Sequence, residues 1–291
     1  MNKNSVKKKM NSVKNYYVLV TAHPDDETMF FLPTLYNLIN TNNDKKRDDV
    51  TCDNQFYILC LSNGNFDGLG IRRTEELHKA VNLISSQIHV TVLDHPQLQD
   101  GPRQSWSKEC ITNIMIQFLK QHISAKIQDN TNSNVILFTF DIGGVSGHPN
   151  HIDTFFGLEY FHGLVSQARG DGRNISGPLR SLVQNTEFKL IVLESVYNPI
   201  AKYFCFIELF YLIIGKMFSL WFGKNKSAYS TGTKQTFIMV NPKLVWNTMK
   251  AHYTQFVWYR KLFVIFSRYS YINTTRVITT HERNLNEEKK R

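Results

Sequence analysis

The stretch Tyr16-Tyr-Val-Leu-Val-Thr-Ala-His-Pro-Asp-Asp-Glu27 decides the fold. Residues 16–22 form a nearly unbroken apolar run, short and rich in β-branched and aromatic side chains, that ends abruptly in an acidic loop. A strand buried on both faces has this signature. Four more runs share it, at 55–62 (QFYILCLS), 89–94 (HVTVLD), 135–140 (VILFTF) and 188–195 (FKLIVLES). Helical patterns lie between them: Ile71–Ser86 carries Leu77, Val81 and Ile84 on one stripe, and Ser105–Ile127 carries Ile111, Ile114 and Phe118 on another. Strand alternating with helix predicts an α/β fold, a Rossmann-like, mostly parallel sheet flanked by helices. Pro33 interrupts any helix running from Glu27, so the first turn is expected to be short and the helix proper to begin near Pro33. The polar stretches Asn40–Asn54, Gln128–Asn134 and Ser166–Glu187 read as loops.

Outside these elements the composition narrows the class. With 291 residues and 42% hydrophobic content the chain is neither collagenous, disordered nor a disulfide miniprotein. None of its four cysteines forms a CxxC pair, which suits a reducing compartment and gives no thiolate zinc site. The net charge of +10 is unevenly placed. Residues 15–200 hold 14 bases and 20 acids, whereas residues 201–270 hold ten bases and a single acid, Glu208, together with most of the 19 aromatic residues between Tyr203 and Tyr271. Basic charge beside aromatic rings suits either nucleic acid or an anionic membrane surface. The apolar run at 203–222 turns the reading to membrane and away from nucleic acid, as an interfacial or re-entrant helix, because its uncharged part is shorter than a span requires. The apolar stretch at 16–20 is too short for a secretory signal core, so the sequons at Asn174, Asn225 and Asn273 are expected to be unused.

In an open α/β sheet, ligands bind beyond the carboxyl ends of the strands. The first strand candidate ends in Thr21-Ala-His23-Pro-Asp25-Asp26-Glu27, the second in Ser62-Asn-Gly-Asn-Phe-Asp-Gly-Leu-Gly70, and the fourth in Asp141-Ile-Gly-Gly-Val-Ser-Gly-His148-Pro-Asn-His151. Catalytic zinc takes three imidazole or carboxylate ligands and keeps a fourth position for water. His23, Asp26 and His151 supply that number, and Asp25 is left over to accept the proton of a water whose pKa the metal brings to about 7. His148, three residues before His151, is expected on the same helical face, where its protonated ring could stabilise an oxyanion. Each motif alone has a plainer explanation, a capped helix start for His-Pro-Asp-Asp-Glu and an ordinary loop for His-x-x-His.

The motifs AHPDDE at 22–27 and GHPNH at 147–151, with SNGN at 62–65 and Arg73-x-x-Glu-Leu77 between them, resemble the PIG-L/LmbE-type zinc-dependent N-acetylglucosamine deacetylases. The segment FVWYRKLFVIFSRYSYIN at 256–273 is similar to the end of the eukaryotic branch, N-acetylglucosaminyl-phosphatidylinositol de-N-acetylase. The resemblance implies that Zn²⁺, or another divalent metal, is bound by His23, Asp26 and His151, with Asp25 as general base and His148 stabilising the tetrahedral intermediate. It implies sugar contacts from Arg73 and Asp100, whose plainer readings are a helix salt bridge to Glu75 or Glu76 and a turn former. Where many bacterial relatives have Asp, this chain has Asn150, so the group orienting the second histidine must come from elsewhere, for instance Asp141. The implied organisation is a basic tail at 1–15, an LmbE-like catalytic domain at 16–200, a basic aromatic region at 201–273 that completes the domain and associates with membrane, and a polar tail at 274–291. The implied activity is deacetylation of N-acetylglucosaminyl-phosphatidylinositol, in the second step of glycosylphosphatidylinositol (GPI) anchor synthesis, on the cytoplasmic face of the endoplasmic reticulum membrane. Deacetylation of another N-acetylglucosamine conjugate, and a non-catalytic membrane-surface protein of the same fold, are the alternatives.

Overall fold

The computed structural model describes residues 14–47, 54–127, 133–170, 183, 186–204, 206–208, 210, 214 and 234–278. Five strands, β1 (Lys14–Thr21), β2 (Gln55–Cys60), β3 (Ile88–Val92), β4 (Ser133–Phe140) and β5 (Thr186–Leu193), match the five apolar runs. They pair in parallel in the order β3-β2-β1-β4-β5. Val18, Val20, Leu137, Leu190 and Val192 have no exposure, as central strands covered on both faces require. Two strands in the basic aromatic region add to this sheet: β7 (Ile272–Val277) runs antiparallel to β5, and β6 (Lys234–Ile238) pairs antiparallel to β7 at the edge. Neither was evident from the sequence, since INTTRV and KQTFI are too polar for the buried-strand pattern and sit in a stretch dominated by apolar helical runs.

The principal helices among the described residues are α1 (Asp26–Met29), α2 (Leu32–Arg47), α3 (Gly70–Ile84), α4 (Lys108–Leu119, continued by one π turn over Lys120–Ser124), α5 (Pro149–Gly170), α6 (Pro242–Ala251) and α7 (Trp258–Phe266). The chain breaks between α1 and α2 just before Pro33, as the sequence suggests. Helix α2 continues through Asn40–Arg47, which reads as loop from composition. Polar side chains here bond within the helix: Asn37 Nδ2 donates to Pro33 O at 2.8 Å and Thr41 Oγ1 donates to Asn37 O at 2.8 Å. Likewise α5 extends through Ser166–Gly170.

Most of the apolar run at 203–222 lies outside the described residues, as do residues 1–13, 279–291 and the sequons at Asn174 and Asn225. No helix among the described residues is long and apolar enough to cross a membrane. Asn273 is fully buried, and its Oδ1 accepts from Thr34 N at 3.2 Å and Thr34 Oγ1 at 2.9 Å, which leaves no room for a glycan.

Candidate metal centre

The strand order reverses between β1 and β4, since the chain proceeds from β1 toward β2 and β3 on one side and from β4 toward β5 on the other. Connections diverging from two neighbouring strand ends leave a crevice there. The loop after β1 brings His23, Asp25 and Asp26 into it, and the loop after β4 brings His148 and His151. Asp25 holds φ 127° and ψ −18°, a backbone region costing about 1–3 kcal/mol for a non-glycine residue. It occupies the cap position of α1, yet its side chain makes no cap hydrogen bond, so helix capping does not explain the residue.

Asp26 and His151 are both buried, with Asp26 Oδ1 3.1 Å from His151 Nε2. The other oxygen, Oδ2, accepts from the N–H groups of Ala22 at 3.0 Å and His23 at 2.8 Å and lies 3.8 Å from His23 Nδ1. Burial by itself raises the Asp26 pKa, but His151, His23 and these N–H groups outweigh it and hold the carboxyl below its usual range. The His151 ring stacks on Phe140 at 4.0 Å and 3°, and its Nδ1 is 3.1 Å from Gly144 O. Donation from Nδ1 to that carbonyl would leave Nε2, the nitrogen facing Asp26, as the one to ligate a metal. On the far side of His23, Nε2 meets Asp100 Oδ1 at 2.9 Å and Asn150 Oδ1 at 3.1 Å, so Nδ1 is the nitrogen turned toward Asp26 and His151. A ring nitrogen from each histidine and the Asp26 carboxylate thus converge from two loops, a donor set that fits Zn²⁺ and its first-row neighbours.

His148 also joins this cluster. Its ring lies 4.8 Å from those of both His23 and His151, and donor atoms of the three imidazoles fall within 4.8 Å of one another. The expectation that it shares a helical face with His151 is corrected here: α5 starts at Pro149, and His148 sits just before it with extended backbone (φ −67°, ψ 125°). Nor is a protonated ring called for. Burial first, then the neighbouring His23 and His151, push its pKa down to about 4. Its Nδ1 accepts from Asn150 N at 3.3 Å, so the neutral ring carries its proton on Nε2, where it can donate. Asp141 does not orient His151. Its carboxylate instead accepts from Gly143 N at 3.0 Å and from Ser195 N at 2.7 Å and binds the Ser195 hydroxyl, so it fastens the β4 loop to the end of β5. Gly144 O takes the orienting role.

Arg73 lies beneath the site. Its Nη1 donates to Gly64 O at 3.0 Å and Nη2 to Pro24 O at 2.9 Å, and the guanidinium stands 3.6 Å from Asp25 and 3.5 Å from Asp100. A Cβ at Gly64 would overlap that guanidinium, and Gly64 itself has φ +70°, so glycine is required there on two counts. No pair forms between Arg73 and Glu75 or Glu76 among the described contacts. Glu76 instead accepts from Thr254 N at 3.0 Å and Thr254 Oγ1 at 2.7 Å. Asp100 is at the rim, and its pKa is lowered because His23 and Arg73 outweigh its partial burial.

Two residues of the site are not evident from motif reading. Arg260 on α7 donates from Nη1 to Asp25 Oδ2 at 2.6 Å and to Gln255 Oε1 at 2.7 Å. His252, just after α6, places Nε2 2.7 Å from Glu27 Oε1, with both side chains fully buried. The basic aromatic region therefore grips the β1 loop at Asp25, Glu27 and, through Glu76, at the helix beneath. Glu27 could have been found from AHPDDE itself, where a third acid facing the core needs a cation. Arg260 and His252 carry no local signal of this kind.

Comparison with known proteins identifies the family. The model of the family described as PIG-L: GlcNAc-PI de-N-acetylase matches residues 18–160, which hold His23, Asp25, Asp26, His148 and His151. The chain is 31% identical over 275 residues, 90% of its length and 93% of the relative's, to a probable N-acetylglucosaminyl-phosphatidylinositol de-N-acetylase of Dictyostelium discoideum. It is 32% identical over 269 residues, 90% of its length and 81% of the relative's, to N-acetylglucosaminyl-phosphatidylinositol de-N-acetylase of Saccharomyces cerevisiae. Among solved structures, N,N'-diacetylchitobiose deacetylase from Pyrococcus horikoshii shares the fold, with a TM-score of 0.52 over 90% of this chain and 83% of that one at 13% identity. Sequence likeness along almost the whole length, on a fold that brings both histidine motifs to one crevice, means that the chain belongs to the PIG-L family.

Proposed function

We propose that the chain hydrolyses the acetamide of N-acetylglucosaminyl-phosphatidylinositol to glucosaminyl-phosphatidylinositol and acetate, the second step of GPI anchor synthesis, at the cytoplasmic face of the endoplasmic reticulum membrane. The observation that carries this reading is the meeting of His23, Asp26 and His151 at the β1/β4 crevice with Asp25 and His148 beside them. The relatives' names supply the substrate. Lipid tails that stay in a bilayer support a membrane location.

His23, Asp26 and His151 would hold a divalent ion, zinc in this reading, which when bound would supply Lewis acidity to a water and to the acetyl carbonyl. Asp25, fixed by Arg260 and Arg73, takes the proton from the attacking water. The His148 Nε2–H donates to the carbonyl oxygen as negative charge gathers on it. Asp25 then returns the proton to the glucosamine nitrogen as the C–N bond breaks, so the water's hydroxyl ends in acetate and its proton on the amine. Asp100 at the rim offers a carboxylate to sugar hydroxyls. Arg73 serves the sugar subsite by holding the Pro24 and Gly64 carbonyls in place.

Metal-loaded protein should release acetate from N-acetylglucosaminyl-phosphatidylinositol and from that lipid on the outer surface of sealed endoplasmic reticulum microsomes. A chelator should stop it and added zinc should restore it. Release from a soluble N-acetylglucosamine conjugate but none from the glycolipid would favour the alternative substrate. The roles of the two C-terminal histidines of the cluster separate in one comparison. His151→Ala is expected to lose bound metal together with activity, whereas His148→Ala keeps the metal and loses roughly 10²–10³ in turnover, as removal of one oxyanion donor does. Loss of metal in His148→Ala would make His148 a ligand.

A further inference from the structure

We infer that the outward face of α7, together with the neighbouring Phe204, Phe206 and Ile207, docks on a bilayer surface carrying anionic headgroups and holds the mouth of the crevice against it. The inference deepens the glycolipid reading and rests on it for the substrate, though not for the docking itself.

Helix α7 is amphipathic in reverse. Its inward side carries Arg260, bonded to Asp25, and Phe263, which meets Phe30 at 5.7 Å beside the centre. Its outward side carries Trp258, 72% exposed, Tyr259, 55%, and Leu262, 48%, with Ile265 and Phe266 following along the same stripe. Phe206 meets Phe266 at 6.2 Å, so Phe204 and Ile207, 60% and 59% exposed, continue this surface. Single exposed apolar residues need no explanation, but a joined face of aromatic and aliphatic side chains does.

Its surroundings select the occupant. Lys261 projects from the same helix, its Nζ 5.3 Å from the Phe256 ring, and Lys202, whose Nζ donates to Val145 O at 3.2 Å, adds positive charge beside Tyr203. Glu208, the one acid in residues 201–270, is held by Arg268 through bonds of 2.8 Å to each carboxylate oxygen. The fringe is therefore cationic. A second copy would set like charge against like, and Leu262, Ile265 and Ile207 offer no ring for bases to stack on. Tryptophan and tyrosine among aliphatic side chains with lysine at the edge suit the boundary between headgroups and acyl chains.

The test uses the full chain and a Trp258→Ser/Leu262→Ser double variant, both positions exposed and outside the catalytic machinery. The probes are phosphatidylcholine vesicles with and without phosphatidylinositol, the glycolipid embedded in them, and its water-soluble N-acetylglucosaminyl-inositol phosphate headgroup. The wild-type chain should sediment with vesicles, better when phosphatidylinositol is present. In the variant binding should fall by at least about tenfold, given the apolar area removed. Turnover of the embedded lipid should fall with it while turnover of the headgroup is unchanged. Undiminished vesicle binding by the variant, equal loss on both substrates, or a wild-type dimer that the variant dissolves would each overturn the docking face. Vesicle binding by a metal-loaded wild-type chain that hydrolyses neither substrate would instead sink the deacetylase reading and leave the docking face standing.

Discussion

Asp25→Asn should lower turnover by roughly 10²–10⁴-fold, the range expected for loss of a general base, while metal content and thermal unfolding stay close to wild type. Asparagine is the substitution that isolates the proton-accepting role. It tolerates positive φ better than most residues, so the 127° backbone of residue 25 is retained. It is isosteric, and its amide oxygen can still accept from Arg260. What it loses is the capacity to hold a proton taken from water. KM should change little, because no sugar contact is removed, and the effect should fall on kcat. Asp25→Ala should cost as much in rate and additionally leave the Arg260 guanidinium without its carboxylate at 22% exposure. Turnover by Asp25→Asn within a few fold of wild type, measured as acetate release, would remove Asp25 from the mechanism and leave Glu27 or Asp100 to be considered in its place.

The parallel sheet was legible because its strands are buried on both faces, so that hydrophobicity alone marks them. The two antiparallel strands were not, for the opposite reason. In β7, Asn273, Thr274 and Thr275 serve as hydrogen-bonding groups against Thr34, Arg268 and Gln235, and polar residues that are satisfied internally look like loop from the sequence. The same reasoning separates what could be read of the site. His23, Asp26 and His151 are local to two strand ends, and topology does the rest. Arg260 and His252 reach the site from more than 220 positions away, on helices whose composition suggests a different task. A subtler sign was available in α3. Arg73 and Glu76 fall in helical phase with Leu77, Ala80 and Val81, the buried side, and charged residues on a core face imply buried partners. Asn150, conspicuous as a departure from the bacterial pattern, turns out to face His23 and not His151, and this could not be known before α5 was placed.

The second large effect concerns stability and the buried pair His252–Glu27. Both side chains have no exposure, and the Nε2 to Oε1 distance is 2.7 Å, with Thr28 Oγ1 donating to the same oxygen at 2.7 Å. Burial, the largest influence on His252, favours the neutral ring, but Glu27, followed by Asp25 and Glu76, outweighs it and raises the pKa above the ordinary 6.5. His252→Phe keeps an aromatic ring in the space and strands Glu27. Breaking a buried pair in this way costs about 3–5 kcal/mol, a large part of the 5–15 kcal/mol that holds a typical domain together. For a domain of this size that corresponds to a drop on the order of 10 °C in Tm. The pH dependence has a definite sign. A histidine whose pKa is higher in the folded state than in the unfolded one contributes stability that is fully present below 6.5 and is lost as pH rises through the folded-state value. Urea midpoints of wild type and His252→Phe should therefore stand furthest apart near pH 6 and draw together as the solution becomes alkaline. A gap that stays constant or widens with pH would mean that the ring is neutral in the folded chain and that Glu27 carries the shared proton. Because the pair joins α6 to the loop bearing Asp25 and Asp26, the variant should also lose activity at temperatures where it remains folded, and lowering the temperature should restore only the part of the loss that is due to unfolding.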